Sequence, residues 1–156
     1  MCIAFGMKVI TWSPNITPER AAAVGAQAAS LDEVMQQSDI ISLHIVASST
    51  TKGIVNKEKL ALMKKDAVLI NTSRAMLVDT NALVHALETR SIGGAAVDVF
   101  DIEPLPSDHP LRTTPNTLIT PHLGFVAQPV FQTFADGVVE CLEAWLHGQA
   151  TIRPLP

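Results

Sequence analysis

The sequence has no Cys-x-x-Cys and no His-Glu-x-x-His spacing, so its two cysteines and five histidines suggest no metal site. It has no excess of positive charge: eleven Lys and Arg stand against fifteen Asp and Glu, for a net charge of −4. Without a basic cluster to neutralise a phosphate backbone, nucleic-acid binding is not expected. Long hydrophobic runs are missing as well. Stretches such as Ala67–Ile70 are strand-length, far short of the roughly 20 residues that span a bilayer. The first residues, Met1-Cys2-Ile3-Ala4-Phe5-Gly6, lack a basic region leading into a long apolar core, so no secretory signal is expected. Cys2 and Cys141 lie far apart among apolar neighbours, which suits buried, reduced thiols in the cytoplasm better than a disulfide. Repeats, low-complexity tracts and a clear linker are also lacking, and the 156 residues read as one domain.

What is present is a core-forming chain, with 47% apolar and only 17% charged residues. Short apolar runs alternate with helix-like segments. Lys8–Trp12 reads as a strand stopped by Ser13-Pro14-Asn15. Thr17 then caps a helix with Pro18 at its first position, where no N–H is needed. Ser30-Leu31-Asp32-Glu33 is a capping box, and its short helix ends near Ser38-Asp39. Strands are expected at Ile40–Ile45, Ala67–Asn71, Gly93–Val97 and Thr117–Thr120. Helices are expected at Lys57–Met63, after an Asp79 cap, and from Ala127 to His147, where apolar residues recur at helical spacing.

Continuously apolar strands separated by helices are the pattern of a parallel sheet covered on both faces. The fold class is α/β, a doubly wound parallel sheet. Ligands of such sheets bind beyond the C-terminal ends of the strands. The residues to weigh are therefore Ser13, those after Leu43, Thr72-Ser73-Arg74, Asp98 and Pro121-His122.

Arg74 directly follows a buried strand, where a guanidinium fork can grip a carboxylate through two parallel hydrogen bonds. His122 follows another strand and can exchange a proton near neutral pH. Asp98, Asp101 and Glu103 lie between them, and a carboxylate beside His122 would favour imidazolium and fix its tautomer. Any one of these, taken alone, is more often a satisfied surface or core residue. The order Arg, Glu, His, each beyond a successive strand of one sheet, is far more specific.

The stretches Phe5-Gly6-Met7-Lys8-Val9, Asn71-Thr72-Ser73-Arg74-Ala75, Gly94-Ala95-Ala96-Val97-Asp98-Val99-Phe100, Glu103-Pro104 and Thr120-Pro121-His122-Leu123-Gly124 carry a resemblance. They resemble the NAD-binding domain of the D-isomer-specific 2-hydroxyacid dehydrogenases. The resemblance implies that Arg74 binds the substrate's carboxylate and carbonyl, that His122 is the acid/base, and that Glu103 supports it. It further implies that His44 and Val46 border the adenosine, that Thr72 and Asp98 contact the nicotinamide half, and that Gly124 lies beside the nicotinamide. Substrates would be 2-hydroxy and 2-keto acids, and the full-length protein would be a homodimer.

Two departures accompany the resemblance. The family's Gly-x-Gly-x-x-Gly turn, its first strand and its substrate domain have no counterpart here, so residues 1–156 are expected to be the C-terminal part of a Rossmann-like dinucleotide-binding domain. Such a piece is expected to be inactive by itself, with a gap in its sheet between Lys8–Trp12 and Ile40–Ile45. The other departure is Ser13, where NAD-preferring members often carry an aspartate for the ribose hydroxyls. With no arginine adjoining it in sequence, NAD is the expected cofactor and NADP the alternative. A non-catalytic dinucleotide-binding or dimerisation module is the competing reading, against which the retention of Arg74, Glu103 and His122 argues.

Overall fold

The computed structural model describes residues 1–150. They fall into two compact units, Met1–His122 and the residues from Leu123 onward. In the first unit, strand β1 (Ile10–Thr11) pairs in parallel with β2 (Gln27–Ala28), and helix α1 (Pro18–Ala22) connects them. The Thr17 hydroxyl accepts the Arg20 N–H at 3.3 Å, and Pro18 opens the helix. Helix α2 (Leu31–Gln37) begins with a complete capping box: Glu33 N–H donates to Ser30 Oγ, and Ser30 N–H donates to Glu33 Oε2. Both caps follow from local sequence, because short polar side chains satisfy N–H groups that the first helical turn leaves unpaired.

Strands β3 (Ile40–Leu43), β4 (Val68–Asn71), β5 (Gly94–Val97) and β6 (Thr117–Ile119) form a second, four-stranded parallel sheet in the order β3-β4-β5-β6. The connections carry helices α3 (Lys57–Leu62) and α4 (Thr80–Glu88), and α3 packs against both α2 and α4. Ile41, Leu69 and Ala95 stand in one register row on the face towards the core, and Leu43, Asn71 and Val97 in another. All six are buried, with Met35, Leu60, Leu83 and Leu87 of the three helices. Gly93 leads into β5, and its N–H donates to the Ala67 carbonyl at 2.9 Å. A Cβ at Gly93 would lie 2.5 Å from the Asp66 carbonyl oxygen, so this close approach requires glycine.

The gap expected between Lys8–Trp12 and Ile40–Ile45 is present and divides the strands into two sheets: β1 pairs only with β2, and no described strand joins β1 to β3. Ile40 is 53% and Leu118 65% exposed. The described helices α2, α3 and α4 supply the core on the other face. Cys2, expected to be buried, is exposed, since it lies in a short 3-10 turn (Cys2–Phe5) that buries none of its residues. Cys141 is partly buried.

The second unit contains the 19-residue helix α5 (Gln128–Leu146), which opens with Pro129 in its first turn. The Phe125 and Phe131 rings lie 6.3 Å apart in a tilted arrangement. Among the described residues, no helix is long and apolar enough to cross a membrane.

Candidate functional site

Parallel pairing carries the C-terminal ends of β4, β5 and β6 to one edge of the sheet. The ladder continues past the strands, with Asp98 N–H donating to Asn71 O at 3.0 Å and Thr120 N–H to Val97 O at 3.1 Å. Thr72 to Arg74, Asp98 and His122 therefore follow three adjacent strands at the same edge, as the sequence suggested.

Asn71 fixes the first of these turns. Its side-chain carbonyl accepts the Ser73 N–H at 3.1 Å, and its amide donates to the Arg74 carbonyl at 3.0 Å. Ser73 Oγ donates to Ile45 O at 3.1 Å and so ties the turn to the loop after β3. Arg74 is exposed, and its guanidinium donates to the Ser73 carbonyl at 2.7 Å. No hydrogen bond or ion pair among the described residues joins Arg74 to Glu103 or His122. Thr72 is exposed as well.

Of the three acids left open by the sequence, Glu103 is the one beside His122. Its Oε2 lies 2.8 Å from His122 Nδ1, and its Oε1 accepts the Phe100 N–H at 2.9 Å. Asp98, only 3% exposed, accepts a hydrogen bond from the Thr120 hydroxyl. Asp101 accepts from Thr80 at 3.5 Å. Because an ionised carboxylate can only accept, Nδ1 of His122 must carry the hydrogen. Nε2 is then the nitrogen whose protonation changes. His122 also has φ of +56°, a left-handed conformation that costs a non-glycine residue on the order of 1 kcal/mol. Arg90 and Asn116 share this conformation, each with φ of +54°.

The hydrogen bond from His122, then that from the Phe100 N–H, hold the Glu103 carboxyl below its ordinary pKa. Both favour the charged form, so the shift is downward. Any stability linked to this group is present above the ordinary carboxylate range and is lost as pH falls through the lowered pKa. Carbon-detected NMR titration should therefore find Glu103 titrating below a typical glutamate. In His122→Phe the midpoint should rise towards the typical value. An unchanged midpoint in that variant would mean that the pair does not form in solution.

Phe100, Leu105, Ile119, Glu103 and His122 line a groove of about 590 Å³. The loop that carries Glu103 is held by Arg112, whose Nε donates to Pro106 O at 2.7 Å and Nη2 to Leu105 O at 2.6 Å. Arg112, Asn71 and Thr120 escaped the sequence reading. Only Asn71 had a local signal, a short polar residue two positions before Ser73 and able to close an Asx turn.

His44, exposed just beyond β3, has Nε2 2.8 Å from Ser42 Oγ. Val46 is 80% exposed, and its carbonyl accepts the Thr51 hydroxyl. Ser13 is half-buried beyond β1, in the smaller sheet, and Gly124 belongs to the second unit. Arg20, in the first turn of α1, donates from Nη1 to Asn15 O at 2.6 Å.

Among the described residues no cluster of three or more His, Cys, Asp or Glu could hold a metal ion.

The sequence profile of the D-isomer specific 2-hydroxyacid dehydrogenase NAD binding domain matches residues 1–124. The glyoxylate reductase of Aeropyrum pernix is 38% identical over 146 residues, covering 94% of this chain and 44% of that protein. Among solved structures, the D-lactate dehydrogenase with NAD+ from Lactobacillus jensenii superposes with a TM-score of 0.83 at 29% identity, covering 99% of this chain and 50% of that one. An acyclic imino acid reductase in complex with NADPH and D-Arg superposes with a TM-score of 0.77 at 33% identity, covering 98% and 48%. The chain spans less than half the length of the curated relatives that it matches.

Proposed function

The chain belongs to the D-isomer specific 2-hydroxyacid dehydrogenase family, in its NAD-binding domain, and from that membership we propose that it is the nicotinamide-binding part of an oxidoreductase interconverting 2-keto acids and D-2-hydroxy acids. The observation that carries the reading is the Glu103–His122 pair at the end of β6, opening on an apolar-walled groove. On this reading residues 1–156 act together as one part of a dinucleotide-binding domain. Cytoplasmic location and a homodimeric full-length protein belong to the same proposal.

The residues present suit a nicotinamide dinucleotide. Small-molecule pockets are typically about 300–1,000 Å³, mostly apolar, with a few convergent polar groups. The groove meets that description, and Thr72 supplies an exposed hydroxyl at the same sheet edge.

When bound, the nicotinamide accepts or delivers the hydride at the substrate's second carbon. The chain's own residues do the rest. His122 Nε2 gives a proton to the substrate oxygen in reduction and takes it back in oxidation. Glu103 holds the ring through Nδ1, so the working nitrogen faces one direction and the imidazolium has a counter-charge. Arg74 swings from the Ser73 carbonyl to the substrate carboxylate, which orients the reacting carbon. Phe100, Leu105 and Ile119 keep water from the groove. Alignment by these groups is where much of the rate enhancement arises.

Alone, the segment should show no turnover; joined to a relative's glycine-rich turn and substrate domain, it should support consumption of reduced nicotinamide cofactor with a panel of small 2-keto acids and release of D-2-hydroxy acids, identified by chiral chromatography. In the joined protein, dinucleotide binding without turnover on any 2-keto acid would favour the non-catalytic module instead.

A further inference from the structure

We infer that Arg112 is a positioning residue for the Glu103–His122 pair: its guanidinium grips the Leu105 and Pro106 carbonyls and so sets the Glu103 carboxylate against His122 Nδ1. The inference deepens the acid/base reading above and rests on it for its part in the reaction, but its test needs no turnover.

The pair cannot order its own loop. The Glu103 and His122 side chains are 37% and 39% exposed, and an ion pair this open to water contributes little against the entropy of fixing a loop. Pro104 and Pro106 have no N–H, so carbonyls are the main handles in Glu103-Pro104-Leu105-Pro106. Arg112 takes two consecutive ones, with Nε donating to Pro106 O at 2.7 Å and Nη2 to Leu105 O at 2.6 Å. A planar fork across neighbouring carbonyls fixes the direction of the chain as well as its position. Burial of Leu105 and Leu111 anchors the loop to the core but leaves that direction open. The arginine is itself held. Its N–H donates to His109 O at 3.0 Å, the His109 N–H donates to Pro106 O at 3.2 Å, and His109 Nδ1 accepts the Leu111 N–H at 3.2 Å. The 3-10 turn Pro110–Arg112 closely precedes β6, so one short segment links the loop of the carboxylate to the strand that leads to His122. Among the described residues no carboxylate forms an ion pair with Arg112, and its fork is directed at these two carbonyls.

Two measurements on the full chain test this: nitrogen NMR of the histidine rings, which reads the tautomer, and carbon-detected titration of Glu103. In the parent, His122 Nδ1 should carry the hydrogen and Glu103 should titrate below an ordinary glutamate. Arg112→Met keeps an unbranched stem and removes the fork. It should raise the Glu103 midpoint towards the ordinary value and leave the hydrogen of the neutral ring shared between both nitrogens. Asp98, which opposes ionisation of Glu103, is present in every variant and cannot account for a difference. Arg112→Lys should restore part of both readouts. Thr114→Val removes a neighbouring hydrogen bond of the same segment, from Thr114 Oγ1 to Pro110 O at 2.9 Å, and should leave both as in the parent. A folded Arg112→Met protein with the parent's tautomer and midpoint overturns the inference. So does a Thr114→Val protein that changes as Arg112→Met does, because any loosening of the segment would then have the same effect. Should Arg112→Met fail to fold, hydrogen exchange in the parent decides: the Arg112 Nε–H should exchange more slowly than that of an unbonded arginine, and equal rates overturn the clamp. Absence of the Nδ1 hydrogen in the parent removes the pair itself, and with it the acid/base reading on which the inference rests.

Discussion

In a protein that joins this segment to a glycine-rich turn and substrate domain, replacing His122 with alanine is expected to lower kcat on the order of 10²–10⁴-fold, the range that a positioned acid or base contributes. The effect should fall on kcat, because the imidazole works on the proton that moves in the transition state and not on the dinucleotide. Nucleotide affinity measured by calorimetry should stay close to that of the parent. The local backbone supports this separation. His122 sits past the end of β6, with Thr120 N–H and its own N–H bonded to main-chain carbonyls, so truncating the side chain leaves the strand's pairing intact. Alanine in the left-handed conformation is strained, as histidine is, and the circular dichroism spectrum should show whether the turn survives. A kcat within about tenfold of the parent in a folded variant would remove His122 from the proton path.

In the same joined protein, Arg74→Ala is expected to lower kcat/KM by roughly 10- to 100-fold, through both a higher KM and a lower kcat. Charge-assisted hydrogen bonds contribute about 1.5–3 kcal/mol, and a bidentate pair also fixes orientation. A carboxylate is present in the substrate before and during hydride transfer, so its loss is felt in both ground and transition states. Little structural damage should accompany the change, because the turn is fixed by Asn71 and Ser73, and Arg74 contributes to it through its main-chain carbonyl. Arg74→Lys should recover charge without the fork and fall between the two. Equal damage towards 2-keto acids and towards a ketone lacking the carboxylate would show that Arg74 does not anchor that group.

The sequence was most informative where structure is decided within a few residues. Thr17 and Ser30 cap their helices as their spacing requires, and Asp79 accepts the Ala82 N–H at the start of α4. The apolar period of residues 127–147 matched α5 to within a residue at either end. What escaped was decided across the chain. Strand β2 is only two residues long, and nothing in Gln27–Ala28 marks it before β1 is there to pair with it. The choice of Glu103 over Asp98 and Asp101 depends on how the loop after β5 folds back to His122, and Arg112 helps hold that loop. Sequence separation hid each of these contacts, although the residue types were chemically suggestive.

The order β3-β4-β5-β6 has a consequence for synthesis as well as for architecture. In this sheet spatial order repeats chain order, so each strand leaving the ribosome meets an edge already made by the strand before it. No strand has to wait for a later one to be inserted between it and its neighbour. Pairing can thus proceed one strand at a time behind the ribosome, closing one crossover loop per addition, where a shuffled order would leave earlier edges open for longer. The chemistry-bearing segments emerge in the same sequence: the Arg74 turn, then Glu103, and His122 last. The proton-handling pair is complete only once β6 has joined the edge of β5.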